Sequence, residues 1–304
     1  MKAVYIERCG GPEVLIYGDM PDPVPATDDV LIDIAAASVN ATDWKARASG
    51  YAKIPFPHIM GRDLSGTVSG VGKDVDSFKV GDEVFAVCMR YEDGGYAEKN
   101  AVKASMVGKK PASVSHVEAA ALALTGLTGV CSLEETLQLK RDEKILIQGG
   151  AGGVASVAIQ FAKYLGAHVI TTASAVNHDY VRALGADEVI DYNAVDFTTV
   201  AKDVDAALDT IGGAVAERTL DVLRSGGRAA FLDGPAPTPR RSGIVSVKPL
   251  VKRATRLMNR VAELIDAGAF RPPEVRVFSL AQARLAHELI EARHVRGKLV
   301  FKVR

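Results

Sequence analysis

Lys144-Ile145-Leu146-Ile147-Gln148-Gly149-Gly150-Ala151-Gly152-Gly153-Val154-Ala155 joins a short apolar run to a glycine-rich turn. Beyond it, Val154, Val157, Ala158, Phe161, Ala162 and Leu165 recur at helical spacing, and Gly166 stands where a helix stops. His168-Val169-Ile170-Thr171-Thr172 then reads as a second strand. Gly150, Gly152 and Ala155 fill the pattern G-x-G-x-x-G/A inside a complete strand–turn–helix–strand unit, which is the context a dinucleotide site requires. The first glycine permits the turn, the second lets backbone approach a pyrophosphate, and the small third residue lets helix pack on strand. Gly150, Ala151, Gly152, Gly153 and Val154 are therefore the expected pyrophosphate contacts, helped by the amides at the helix N-terminus. The alternative is an ordinary βα turn that binds nothing.

With 304 residues, the chain exceeds the usual size of one core, so two domains are expected. Its 37 basic and 37 acidic residues cancel, which argues against electrostatic binding to nucleic acid or membrane. No apolar span of eighteen residues is evident, and Met1-Lys2-Ala3-Val4-Tyr5-Ile6-Glu7 reads as a strand, not a signal peptide. Cys9, Cys88 and Cys131 are scattered and odd in number, as in a reducing cytoplasmic protein.

The first third is rich in strand signals: Val30–Ile34, Gly66–Gly72 and Phe78–Phe85. After about Val117 the texture turns to alanine-rich helix and then to alternation. Val204–Leu208 and Arg228–Leu232 are apolar strands flanking a helical stretch at Ala214–Leu223, so a parallel sheet is expected. Pro235–Arg241 is a loop, Lys248–Arg260 a solvated basic helix, and Leu280–Ile290 a helix followed by the strand Lys298–Phe301.

Several blocks resemble, in order, the zinc-independent quinone oxidoreductase branch of the medium-chain dehydrogenase/reductase superfamily. They are Ser38–Asp43, Met60–Gly66, Lys79–Phe85, Gly94–Glu98, Leu124–Thr128, the glycine turn, Leu184–Asp187 and His294–Lys298. The resemblance implies an α/β fold: a doubly wound Rossmann parallel sheet plus a GroES-like β-rich catalytic domain. Its expected boundaries are 1–118 for the catalytic domain, 119–266 for the Rossmann domain, and 267–304 returning to the catalytic domain. It also implies a homodimer.

Zinc-dependent relatives place Cys where this chain has Asn40 and a His-Glu pair where it has Arg62-Asp63. Catalytic zinc needs three good ligands, and arginine has no lone pair to give. The six histidines show no ligand spacing, so no metal is expected. Arg62 and Asp63 are expected to form an internal ion pair in the vacant position.

An NAD-specific unit carries an acid about 20 residues past the glycine turn. That point falls in Thr171-Thr172-Ala173-Ser174, which favours NADP(H), with Ser174 donating to the 2′-phosphate. Tyr192 is placed as in the family to do the same; surface packing is its plainer role. The usual nearby Arg or Lys is missing from Ala175-Val176-Asn177-His178, where His178 or Arg182 could substitute.

Without a metal to stabilise an alkoxide, hydride transfer from NADPH to a quinone or α,β-unsaturated carbonyl is the easier chemistry. By the resemblance, Asn40 points its amide at the nicotinamide or the substrate oxygen, Tyr51 donates near the substrate, and Thr125 and Lys298 contact the cofactor. The plainer roles are a turn former for Asn40, a loop aromatic for Tyr51 and a helix cap for Thr125. The rival functions are a zinc-independent NADP-dependent alcohol or aldehyde dehydrogenase, and a weakly catalytic NADPH-binding regulator or RNA binder. Only Arg240–Arg260 is basic enough for RNA. Apart from its small-molecule acceptor, the expected partner is a second copy of the chain.

Overall fold

The computed structural model describes residues 1–49, 54–89, 91–252 and 254–304; Tyr51 lies outside the described residues. Two compact units emerge, one from residues 1–124, 253–267 and 272–304, the other from 125–252 and 268–271.

The first unit begins with β1 (Lys2–Ile6), β2 (Ile16–Asp19), the long β3 (Asp29–Val39), α1 (Ala41–Ser49) and β4 (His58–Ile59). It continues with β5 (Asp63–Val71), β6 (Glu83–Val87), β7 (Lys99–Lys103), β8 (Val107–Lys109) and the start of α2 (His116–Val130). The small sheet runs β2-β1-β4. β3 and β5 pair antiparallel at the centre of the larger one, with Ser38 opposite Asp63. Alternation along β3 turns Val30, Ile32 and Ile34 into a core shared with Leu64, Val84, Tyr96 and Phe301.

In the second unit come β9 (Lys144–Ile147), α3 (Gly153–Tyr164), β10 (His168–Ala173), α4 (His178–Ala183), β11 (Glu188–Asp191) and α5 (Phe197–Val200). Then follow β12 (Val204–Asp209), α6 (Gly213–Thr219), β13 (Leu223–Phe231) and β14 (Val245–Val247). All six strands are parallel in the order β11-β10-β9-β12-β13-β14. Ile145, Leu146 and Ile147 have no exposed surface, which explains their continuous apolar run. The order reverses beside β9, so the glycine turn sits at the switch point where such sheets bind ligands.

Back in the first unit are α7 (Thr255–Asp266), β15 (Val275–Phe278), α8 (Ala283–Glu291) and β16 (Lys298–Lys302), which pairs antiparallel with β3. Here the structure departs from the division at residue 266. α7 is amphipathic and buries Leu257, Met258, Val261, Leu264 and Ile265, and its Thr255 donates to Ala104 O at 3.1 Å, so it belongs with the β-rich unit. Its basic residues stay on the wet side, where Arg260 meets Glu263 at 3.4 Å.

A second departure concerns α2 and the π-helix Cys131–Thr136 that continues it. His116–Thr136 is long and apolar enough to cross a membrane, contrary to the reading of the sequence. Because 78% of its most apolar window is already buried in the protein, its apolar surface is already covered, as in the core helix of a globular domain.

Candidate active site

The β-rich unit contributes a buried polar cluster at the end of β3. Asn40 precedes α1, where an asparagine would ordinarily cap the helix with its side chain. Here Asp43 closes the helix end instead. Asn40 N donates to Asp43 Oδ2 at 2.8 Å, and Asp43 N returns a bond to Asn40 O at 2.9 Å. The Asn40 amide is thereby released to other partners. Its Nδ2 donates to Asp63 Oδ1 at 3.1 Å and Ser38 O at 3.3 Å, and its Oδ1 accepts from Lys298 Nζ at 2.6 Å. Since lysine only donates and Asp63 accepts, this arrangement sets the amide orientation.

Asp63 also accepts from Ser38 Oγ at 2.7 Å, Ser38 N at 3.2 Å and Leu124 N at 3.3 Å. An ion pair is expected between Arg62 and Asp63. Successive residues entering a strand point to opposite sides, and Arg62 Nε donates to Cys88 O at 3.1 Å. The cation that favours ionised Asp63 is Lys298, opposing the burial that pushes the carboxyl up. Lys298 is itself 4% exposed, and burial lowers its pKa.

Asp43 completes the cluster. Tyr96 OH donates to its Oδ2 at 2.8 Å, and the Tyr96 ring stands edge-on to Phe301 at 4.8 Å. Gly61, at φ +103°, makes room for that ring, since a Cβ there would lie 2.3 Å from Tyr96 Cδ1. Burial first, then the Asp63 charge, pushes the Asp43 carboxyl from 3.8 up to about 7. The folded state then holds a proton that the unfolded state has released, so Asp43 costs stability increasingly as pH rises from 3.8 to about 7. Asp43→Asn should remove that slope. Denaturant melts of both proteins across this range should diverge and then run parallel above it; superimposable curves would refute the assignment.

The parallel-sheet unit contributes the glycine turn. Gly149 adopts φ +75°, and Gly152 caps α3 without any side-chain acceptor on the first-turn amides. A Cβ on Gly150 would lie 2.3 Å from Thr171 Oγ1. An open helix N-terminus behind a bare backbone turn is what a pyrophosphate needs, so the residues fit a dinucleotide.

Ala173 pairs with Asp191, so Ser174 and Tyr192 follow neighbouring strand ends. Ser174 Oγ accepts from Asn177 Nδ2 at 3.1 Å, and Tyr192 is 52% exposed. Of the two substitute cations, His178 Nε2 lies 3.3 Å from Ala173 O, while the more exposed Arg182 lies 3.7 Å from Asp179. Thr125 is buried. Lys298 Nζ donates to Asn40 Oδ1 and Val39 O.

Sequence reasoning missed Asp43 and Tyr96 in the first unit and Gln148, Thr172 and Thr219 in the second. The spacing Asn40-x-x-Asp43 was a usable signal for one of them.

A Rossmann sheet with an open glycine turn, on one chain with a β-rich unit bearing a buried polar cluster, defines a nucleotide-dependent dehydrogenase or reductase. Two family models match: the alcohol dehydrogenase GroES-like domain over residues 26–112 and the zinc-binding dehydrogenase over residues 184–301. The mitochondrial NAD(P)H oxidoreductase RTN4IP1 of Danio rerio is 33% identical over 325 residues, spanning 91% of this chain and 84% of the relative. The solved quinone oxidoreductase from Coxiella burnetii superposes with TM-score 0.93 at 34% identity, covering 100% of this chain and 99% of that one. The Escherichia coli quinone oxidoreductase complexed with NADPH gives TM-score 0.90 at 26% identity, covering 99% and 100%. The chain belongs to the quinone oxidoreductase branch of the medium-chain dehydrogenase/reductase superfamily.

The second family description names zinc. Among the described residues no group of three His, Cys, Asp or Glu side chains could hold a metal ion. The Asn40 cluster carries the ammonium of Lys298, which offers no lone pair while protonated.

Proposed function

We propose that this chain reduces a quinone or another α,β-unsaturated carbonyl with NADPH, without a metal. The observation that carries it is the Asn40 cluster, in which the Lys298 ammonium lies against Asn40 Oδ1 where metal-dependent relatives need a ligand. When bound, NADPH supplies the hydride; with one proton from water, a quinone becomes a hydroquinone. Conjugation spreads the developing charge, so no Lewis acid is required. NADP(H) follows from the open turn on α3 and the acid-free end of β10, with Ser174 and Tyr192 toward the 2′-phosphate and Thr125 toward the ribose.

Asn40 and Tyr51 are the proposed catalytic residues. Both Asn40 amide hydrogens already have protein acceptors, so its open valence is the second lone pair of Oδ1. It therefore accepts from a ligand N–H, which suits a nicotinamide carboxamide better than an acceptor oxygen. Lys298 supports Asn40 in this scheme instead of touching the cofactor. Three cysteines outside any disulfide, Cys9, Cys88 and Cys131, suit a reducing compartment such as the cytoplasm, and the parallel sheet's edge strand β14 suits pairing with a second copy.

A steady-state screen tests the proposal: NADPH against NADH, over quinones, 2-alkenals, aldehydes and alcohols, with and without chelator. Turnover of quinone or enal with NADPH, indifferent to chelator, is expected. Activity that disappears on chelation and returns with zinc, or turnover confined to alcohols, would reject it.

A further inference from the structure

We propose that Thr172 and Gln148 are positioning residues for the dinucleotide. With Thr219 they form a belt of side chains that holds the glycine turn in its binding shape. The proposal rests on the NADP(H) assignment and concerns how the turn is built.

Thr172 Oγ1 donates its one proton to Gln148 Oε1 at 2.7 Å, which leaves a lone pair to accept Gly149 N at 3.0 Å. Thr172 O accepts from the next amide, Gly150 N, at 2.9 Å. One residue of β10 therefore holds two successive amides of the turn, through its side chain and its backbone. With Oε1 facing that hydroxyl, Gln148 Nε2 faces the other way and donates to Thr219 Oγ1 on α6 at 3.2 Å. Thr210 Oγ1 donates to Gln148 O at 2.9 Å, tying in the segment after β12. Asp209 holds that same segment by accepting Ile211 N at 2.9 Å and Gly212 N at 2.7 Å. Gln148, Thr172, Thr219 and Asp209 are all at most 3% exposed, so lost partners are not replaced freely by water.

The turn serves the pyrophosphate, which NADPH and NADH share. Loosening it should weaken both nucleotides equally, whereas a residue at the 2′-phosphate changes their ratio. Thr172→Val keeps the shape and removes both side-chain bonds. Titration of NADPH and NADH into the full chain should show both affinities falling by about tenfold, with kcat at saturation within about twofold of wild type. Thr172→Ser should restore binding to within about twofold, and Gln148→Leu, which spares the Thr172–Gly149 bond, should fall between.

Unchanged affinity in folded Thr172→Val, or a change in the NADPH/NADH ratio beyond about threefold, would overturn the proposal. Should Thr172→Val fail to fold by thermal melt, Gln148→Leu decides alone: wild-type affinity there refutes the belt. Wild-type protein that binds neither nucleotide would refute the cofactor assignment, and the belt with it, before any variant is compared.

Discussion

Gly150→Ala is expected to weaken NADPH binding by roughly tenfold to a hundredfold while the protein remains folded. The added Cβ would sit 2.3 Å from Thr171 Oγ1 and 3.1 Å from its Cγ2. That threonine cannot swing aside: it is fully buried and its hydroxyl donates to Ile147 O at 2.7 Å. The strain therefore moves the turn away from the shape its amides need. Equilibrium titration with NADPH measures the loss. A partial recovery in the Gly150→Ala/Thr171→Ala double variant would trace it to this one contact. Wild-type affinity in Gly150→Ala would show that the turn tolerates the shift and that the pyrophosphate is held elsewhere.

Arg47→Leu should cost about 3 kcal/mol of stability, the low end for breaking a buried pair, and lower Tm by roughly 6–12 °C. Arg47 has no exposed surface, yet it joins two separated parts of its unit, donating to Gly10 O at 3.2 Å and, on α8, to Glu291 Oε2 at 2.7 Å and His287 Nδ1 at 3.4 Å. Leucine leaves a cavity and strands these acceptors, although Glu291, 37% exposed, regains some water. Burial first, and the Arg47 charge second, hold the His287 pKa down to about 3 from 6.5. His287 thus stays neutral when folded, and stability is lost as pH falls from 6.5 toward 3. Glu291→Gln keeps an acceptor for Arg47 and should change Tm by only a degree or two. A thermal melt of Arg47→Leu within that same margin would show the buried guanidinium to be dispensable.

The glycine turn was legible because everything that specifies it is local: an apolar run, a bare backbone turn and a helical period within about 20 residues. The acid-free end of β10 was legible for the same reason, as were α8 and β16. Asn40 was singled out, but its environment was not legible, because its partners Asp63 and Lys298 lie 23 and 258 residues away. Arg62 shows the limit directly: the vacant metal position suggested pairing with Asp63, and its Nε donates to Cys88 O, 26 residues away. Likewise Thr172 was noticed only for the acid it lacks, because its bonds to Gln148 and Gly149 exist only once β10 lies beside β9.

By itself, then, the order of residues determined the parallel-sheet unit and its nucleotide turn, and resemblance in ordered blocks placed it in its family. Only tertiary structure decided that α7 belongs with the β-rich unit, that Lys298 serves Asn40, and that Asp43 shares a buried site with Tyr96. Local turns and periods are written by neighbours along the chain. Buried polar clusters are closed by pairing across strands, where each charge must find its partner or pay for desolvation.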